Sequence, residues 1–219
     1  MREYPTDSFD YTVLKRILDL VMSASLLIIL APLLLLIALG VKLSSTGPVI
    51  FRQRRVGLNG RMFWIYKFRT MKTRSRDVSD TQWTATDETQ VTPTGRYLRR
   101  TSLDELPQLI NVLKGDMSMV GPRPERPYFV EIFNRDVPQY MKRHIVKCGI
   151  TGWAQVHGWR GNTSIHKRIE FDLDYVERWT LWSDLRILLL TLWRGILQLP
   201  VASGTSCPET ARRRTSVSR

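Results

Sequence analysis

Asp104 and Glu105 stand side by side in the stretch RYLRRTSLDELPQL, with Arg96, Arg99 and Arg100 just upstream. Arg123 follows on Gly121-Pro122-Arg123-Pro124, which cannot be helix and should form a stiff loop. These are the ingredients of phosphoryl chemistry. An aspartate can form an acyl-phosphate intermediate, which divides one hard transfer into two steps. A neighbouring carboxylate can share a magnesium ion with substrate phosphates, and guanidinium forks match phosphate oxygens. The same residues also fit helix capping. Ser102 with Glu105 matches a capping box, while Asp104 as the cap would put Pro107 harmlessly in the first turn. Local spacing leaves both readings open.

The elements around this pair are legible in outline. Arg96–Arg100 opens a helical stretch, and Leu106, Leu109, Ile110 and Leu113 follow the i, i+3, i+4, i+7 pattern before a stop at Lys114-Gly115. Val49–Gln53 and Met62–Phe68 are β-prone runs separated by Gly57-Leu58-Asn59-Gly60, which predicts a hairpin rich in arginine and aromatic residues. Residues 73–94 lack a period and are expected to be a loop or lid. Glu125–Lys142 reads as helix interrupted at Pro127 and Pro138, and Lys147–Gly161 as compact loop. Ser164–Trp179 and Leu181–Leu199 read as amphipathic helices, the second suited to a membrane interface as well as to core packing. After Pro200 the chain carries Arg212-Arg213-Arg214 and is expected to be disordered.

Leu20–Val41 is a run of 22 residues without a charge. As a straight helix it would reach roughly 33 Å, against a bilayer core of about 30 Å. Pro32 sits near its middle and breaks the helical ladder. Lys15 and Arg16 precede the run, and Lys42, Arg52, Arg54 and Arg55 follow it, so both flanks carry the cytoplasmic signature. A proline-kinked span fits the length. A helix that enters, bends and returns to the same face fits the length, the proline and both flanks.

Charge narrows the partner class. The 219 residues hold 33 Lys+Arg against 20 Asp+Glu, a net +13. Such a balance favours an anionic partner: nucleic acid, a membrane surface or a phosphorylated substrate. Two cysteines and three histidines without metal-ligand spacing exclude a disulfide framework and make a zinc or histidine-built centre a poor fit.

Taken in order, KRILDL with the proline-broken run, GPVIFRQRRVG, YKFRTM, TSLDELPQLINVLKGDMSMVGPRP and GITGWAQV resemble the monotopic phosphoglycosyl transferases, bacterial sugar transferases of glycan assembly. The likeness runs from about Tyr11 to Leu199. It implies a mostly helical α+β fold with a small β-hairpin, in a monotopic membrane protein. Residues 1–14 would form a tail, 15–45 a re-entrant membrane helix, 46–199 a catalytic domain with interfacial amphipathic helices, and 200–219 a basic tail. It further implies location at the bacterial plasma membrane, with the catalytic part on the cytoplasmic face.

The implied reaction moves a sugar-1-phosphate from a UDP-sugar to a polyprenol (undecaprenyl) phosphate and releases UMP. Carried over by position, Asp104 is the nucleophile and Glu105 the Mg²⁺ ligand. Arg99 and Arg123 would bind phosphate or nucleotide, joined by Lys67, Arg69, Arg160 and Asp172 as further substrate-binding candidates. The UDP-sugar, the lipid phosphate and anionic headgroups are the expected partners. Nucleic acid is not expected, and a homo-oligomer stays open. The stretches VHGWRGNT and YVERWTLWSDLRILLLT are most similar to glucose-type exopolysaccharide enzymes, with galactose or an N-acetylated amino sugar next. The chain departs from the family pattern at Ala31-Pro32, where relatives often have serine before the proline, and at His157, where they often have asparagine. A membrane-tethered polyanion-binding protein and a noncatalytic scaffold also suit the charge. Both leave the acidic pair and the proline-locked arginine without a task.

Overall fold

The computed structural model describes residues 9–72, 90–161 and 163–197. Two helices, α1 (Phe9–Ile29) and α2 (Ala31–Ser44), hold the charge-free run. The ladder of hydrogen bonds reaches Leu30 N–H to Leu26 O at 2.9 Å and resumes with Leu34 N–H to Leu30 O at 2.8 Å. Pro32 falls in the first turn of α2, where amides have no acceptor within the helix, so its missing hydrogen costs little. The pair is bent by 64°; neither helix alone is long and apolar enough to cross a membrane, and the bent pair together is. Side chains around the bend are bare, with Ile28 75% and Leu35 72% exposed. Residues 9–14, expected in a tail, are already helical. Residues 1–8 and the expected basic tail, 200–219, lie outside the described residues.

Strand β1 (Ile50–Val56) pairs antiparallel with β2 (Met62–Phe68), Ile50 opposite Phe68 and Val56 opposite Met62. Asn59 (φ 52°) and Gly60 (φ 75°) turn the chain between them, two residue types that accept left-handed backbone at low cost. β1 runs three residues beyond the predicted strand, because Arg54, Arg55 and Val56 pair with Trp64, Phe63 and Met62 of β2. Most of the expected loop or lid, residues 73–89, lies outside the described residues, and its end at Pro93 and Thr94 is already helix.

Helix α3 (Pro93–Thr101) starts where Thr92 Oγ1 accepts a hydrogen bond from Gly95 N–H at 3.0 Å. A 3₁₀ turn, Leu103–Glu105, links it to α4 (Gln108–Lys114). Neither Ser102 nor Pro107 caps with its side chain, so the capping reading does not describe this junction. The apolar stripe is also revised. α4 buries Gln108, Leu109, Asn111 and Val112 and leaves Ile110 exposed. The reason is Asn111, whose amide donates to Trp64 O at 2.7 Å and accepts from Tyr66 N–H at 3.0 Å, turning that face of α4 onto the hairpin.

A second, parallel pair joins β3 (Ser118–Val120) to β4 (Gly149–Thr151), and β4 lies inside the segment Lys147–Gly161 read as loop. Helix α5 (Pro127–Asp136), the 3₁₀ stretch Tyr140–His144, α6 (Trp153–Val156), α7 (Ile165–Glu177) and α8 (Leu181–Leu197) complete a mostly helical α+β fold. Ile65, Leu109, Val112, Met117, Val176 and Ile187 form the main core. In α8, Ile187 and Asp184 face inward, while Trp182, Leu185, Leu189, Leu192 and Trp193 stay exposed.

Both ends of the bent pair are fastened to this body. Lys15 Nζ donates to Val120 O at 3.1 Å and ion-pairs with Asp184. Arg16 donates to Val112 O at 2.6 Å and Leu113 O at 2.7 Å, closing the end of α4. These flanking cations are therefore committed to protein acceptors. At the far end Ile37 and Val41 of α2 pack with Phe68 and Leu98.

Candidate active site

The acidic pair sits in the 3₁₀ turn between α3 and α4, facing the end of β2 and the proline-locked loop after β3. Glu105 is gripped from both of those elements. Lys67 Nζ donates to its Oε1 at 2.7 Å, Arg123 Nη1 donates to its Oε2 at 3.0 Å, and Arg123 Nη2 also reaches Oε1. Burial alone would push the Glu105 carboxyl up, but the Arg123 and Lys67 charges outweigh it and hold the group well below the usual carboxylate range. Arg123 is raised in turn, chiefly by the Glu105 charge. The Lys67 ammonium is lowered, burial outweighing the attraction of Glu105.

Asp104 has the opposite environment. It makes no hydrogen bond to any described residue. Burial raises its carboxyl above the ordinary value, the Glu105 charge adds to that, and Lys67, Arg123 and Arg99 pull the other way. Arg99 reaches this region from α3, with its Nε donating to Thr70 Oγ1 at 2.9 Å. One carboxylate is thus clamped, and its neighbour is left free to react. Two adjacent acids in unlike settings are how one site assigns two roles.

Asp104, Glu105, Lys67, Arg123 and Arg99 are therefore brought together. Arg69 is not with them. Its guanidinium closes the C-terminal end of α2, donating to Ser45 O and Pro48 O at 2.6 Å and to Val41 O at 3.3 Å. Asp172 is fully buried against Arg143, which donates to it at 2.6 and 3.0 Å and also to the Arg123 carbonyl at 2.8 Å. Asp172 thus lies behind the site and supports the backbone that carries Arg123. Arg160 is exposed. His157 packs its ring against Trp153 and Phe171, 4.0 and 4.9 Å between centroids.

Two residues beside the clamp were not singled out by sequence. Arg55 and Gln108 line a small recess together with Lys67, Arg123, Ile65 and Pro124. Arg55 carried a signal, since it belongs to the basic hairpin. Gln108 carried none.

The pair can be tested as a magnesium site. Glu105 Oε1 is occupied by both cations and Oε2 by one, so Oε2 keeps a lone pair. No group of three or more His, Cys, Asp or Glu side chains that could hold a metal occurs among the described residues. This donor set fits a hard ion that takes one or two carboxylate oxygens and fills its other positions with phosphate oxygens and water.

Relatives are close in sequence. The chain is 50% identical over 189 residues to a UDP-glucose:undecaprenyl-phosphate glucose-1-phosphate transferase of Escherichia coli K12, covering 84% of this chain and 40% of that protein. A protein of the same description from Xanthomonas campestris is 49% identical over 192 residues, 86% of this chain and 40% of the relative. A UDP-N-acetylgalactosamine-undecaprenyl-phosphate N-acetylgalactosaminephosphotransferase of Aeromonas hydrophila is 44% identical over 184 residues, 83% and 43% of the two chains. The chain thus spans about two fifths of the length of these relatives. The family model for bacterial sugar transferases matches residues 10–198, and the chain belongs to that family.

Proposed function

We propose that this protein transfers a sugar-1-phosphate from a UDP-sugar to undecaprenyl phosphate, releasing UMP, in exopolysaccharide or related glycan assembly. The observation that carries the reading is the contrast within the acidic pair: Glu105 held by Lys67 and Arg123, Asp104 beside it with no hydrogen-bond partner among the described residues. In this reading Asp104 attacks the phosphorus that bears the sugar. The bond from that phosphorus to the UMP oxygen breaks, and UMP leaves. An oxygen of the lipid phosphate then attacks the same phosphorus, freeing the Asp104 carboxylate and forming the diphosphate link. Lys67, Arg123 and Arg99 offset the charge that builds on the phosphoryl oxygens.

Mg²⁺ held by Glu105 and Asp104 with substrate oxygens would neutralise diphosphate charge. The chain's own cations orient the diphosphate, and the clamp keeps Glu105 ionised at any pH where Asp104 can react. Glucose is the favoured sugar, since the relatives from Escherichia coli and Xanthomonas campestris bear that name; N-acetylgalactosamine follows from the Aeromonas relative.

We further propose that the bent pair is a re-entrant anchor at the cytoplasmic face of the plasma membrane. Support comes from its two ends, both fastened to one body, and from the bare apolar residues at its bend. The exposed Trp182, Leu185, Leu189, Leu192 and Trp193 of α8 suit an interfacial helix. Purified protein with Mg²⁺, undecaprenyl phosphate and a panel of UDP-sugars tests the activity by UMP release. UMP from one sugar is the expected result, and none from any sugar would refute the reading. Labelling of single cysteines placed before α1 and after α2 from opposite membrane sides would refute the re-entrant anchor.

A further inference from the structure

The polar lining of the recess beside the clamp is dominated by cations. Arg55, Lys67, Gln108 and Arg123 supply its polar lining, and Ile65 and Pro124 the rest. Gln108 is 1% exposed, and its Nε2 has no partner among the described residues. Arg55 spends Nη1 on Pro124 O at 3.1 Å and Nη2 on Gln53 Oε1 at 2.7 Å, with Glu125 at 3.6 Å, while its buried Nε has no partner among the described residues. Such orphaned donors cost stability unless something accepts from them. Burial also lowers the Arg55 guanidinium to about 10, so it stays cationic at neutral pH.

Gln108 enters α4 directly behind Pro107 and lines the recess with Arg55, Ile65 and Lys67 of the hairpin. Nothing in the packing of α4 needs an amide at this position, because the adjacent Asn111 already ties the helix to β2. The chemistry that satisfies an amide N–H, a guanidinium N–H and two flanking cations at once is an oxyanion. The recess is too small for a sugar or a nucleobase.

We propose that Gln108 and Arg55 form a seat for a phosphoryl oxygen next to the acidic pair, shared with Lys67 and Arg123. The seat rests on the transferase reading for its purpose and on geometry alone for its existence. It holds the substrate phosphate by donors that do not react, leaving Asp104 clear. Two sources can fill it, the diphosphate of the sugar nucleotide or the phosphate of the lipid acceptor, and both are phosphoryl oxygens.

Binding of inorganic pyrophosphate to the full chain in nanodiscs, measured by calorimetry with a metal chelator present, tests the seat without reference to turnover. Wild type should bind saturably. Gln108→Leu, close in volume, should weaken binding roughly tenfold or more, as loss of a hydrogen bond to a charged group predicts. The same variant should melt no lower than wild type, because the deleted amide donor had no partner among the described residues; a purely structural glutamine would do the reverse. Gln108→Glu should abolish binding by placing negative charge in the seat.

Unchanged pyrophosphate affinity in Gln108→Leu, or no binding by wild type, overturns the seat. Binding that follows these expectations in a protein that releases no UMP from any UDP-sugar would leave the seat standing and sink the transferase reading. Where turnover is present, a raised KM for the UDP-sugar assigns the seat to the nucleotide, and a raised KM for the lipid phosphate assigns it to the acceptor. A variant with neither KM changed overturns its role in the reaction.

Discussion

Asp19, in the helix that opens the charge-free run, accepts a hydrogen bond from Ser118 Oγ at 3.0 Å across 99 residues of chain. The same oxygen takes Met119 N–H at 2.8 Å, and the carboxylate is buried. The apolar segment is thus bonded to the strand that leads into the Arg123 loop. Asp19→Ala strands two buried donors and should lower stability by about 1–3 kcal/mol. Asp19→Asn retains an acceptor and should cost less. Thermal unfolding in detergent of the two variants checks the order.

Asp104→Asn should cut UMP release by about 10³-fold or more, as loss of a nucleophile does. Its carboxyl is raised in the folded chain, chiefly by burial and then by Glu105. A raised carboxyl binds its proton more tightly when folded, so ionising it works against folding as pH rises. The asparagine variant should therefore melt no lower than wild type at neutral pH. By the same sign, wild-type turnover should fall on the acid side with a midpoint above the ordinary aspartate value of about 3.9. A rapid-quench pH profile of the first UMP released gives that midpoint.

Glu105→Gln removes the charge that Lys67 and Arg123 share. Breaking a buried pair leaves cations uncompensated and typically costs about 3–5 kcal/mol; the partial exposure here places the expected loss at the lower end. The Glu105 carboxyl lies well below its ordinary value, burial being outweighed by the two cations. Its stabilisation is full above the unfolded pKa and is lost as pH falls through the depressed folded one. Melting curves of wild type and variant should converge only in strong acid.

Asp172→Asn should destabilise by about 3–5 kcal/mol, because Arg143 loses its only anionic hydrogen-bond partner among the described residues. The double variant Arg143→Met, Asp172→Leu should recover part of that loss, since apolar replacement removes both charges together. Turnover should remain impaired in the double variant, because Arg143 also holds the Arg123 carbonyl. Paired unfolding and UMP assays separate the two effects.

Much of the fold was legible because it depends on neighbours in sequence. The Gly57–Gly60 turn, the helical stretch at Arg96–Arg100 and the helix after Ser164 carry their own signals, and each forms, the second starting three residues early at Pro93. The parallel β3–β4 pair did not, because strands of three residues show no period. Its glycines were read as loop punctuation, yet they permit backbone contact. A Cβ at Gly121 would lie 2.2 Å from Lys147 O, and one at Gly149 would lie 2.1 Å from Gly121 N. The acidic pair was legible as a local motif, whereas Arg69 and Asp172 entered only through the family resemblance. What separates them from the site is partners 20 or more positions away, Ser45, Pro48 and Arg143, which local spacing does not encode.

Arg69 reaching back to the carbonyls that end α2 has a consequence for engineering. That helix is welded to the sheet at one end while Arg16 and Asp19 weld its predecessor at the other. A chimera in which a foreign hydrophobic hairpin replaces residues 15–45 would be apolar enough but would lack the Arg16 and Asp19 side chains that make the bonds at the first end. The native segment is bonded into the scaffold as a strut, and exchanging it should cost stability.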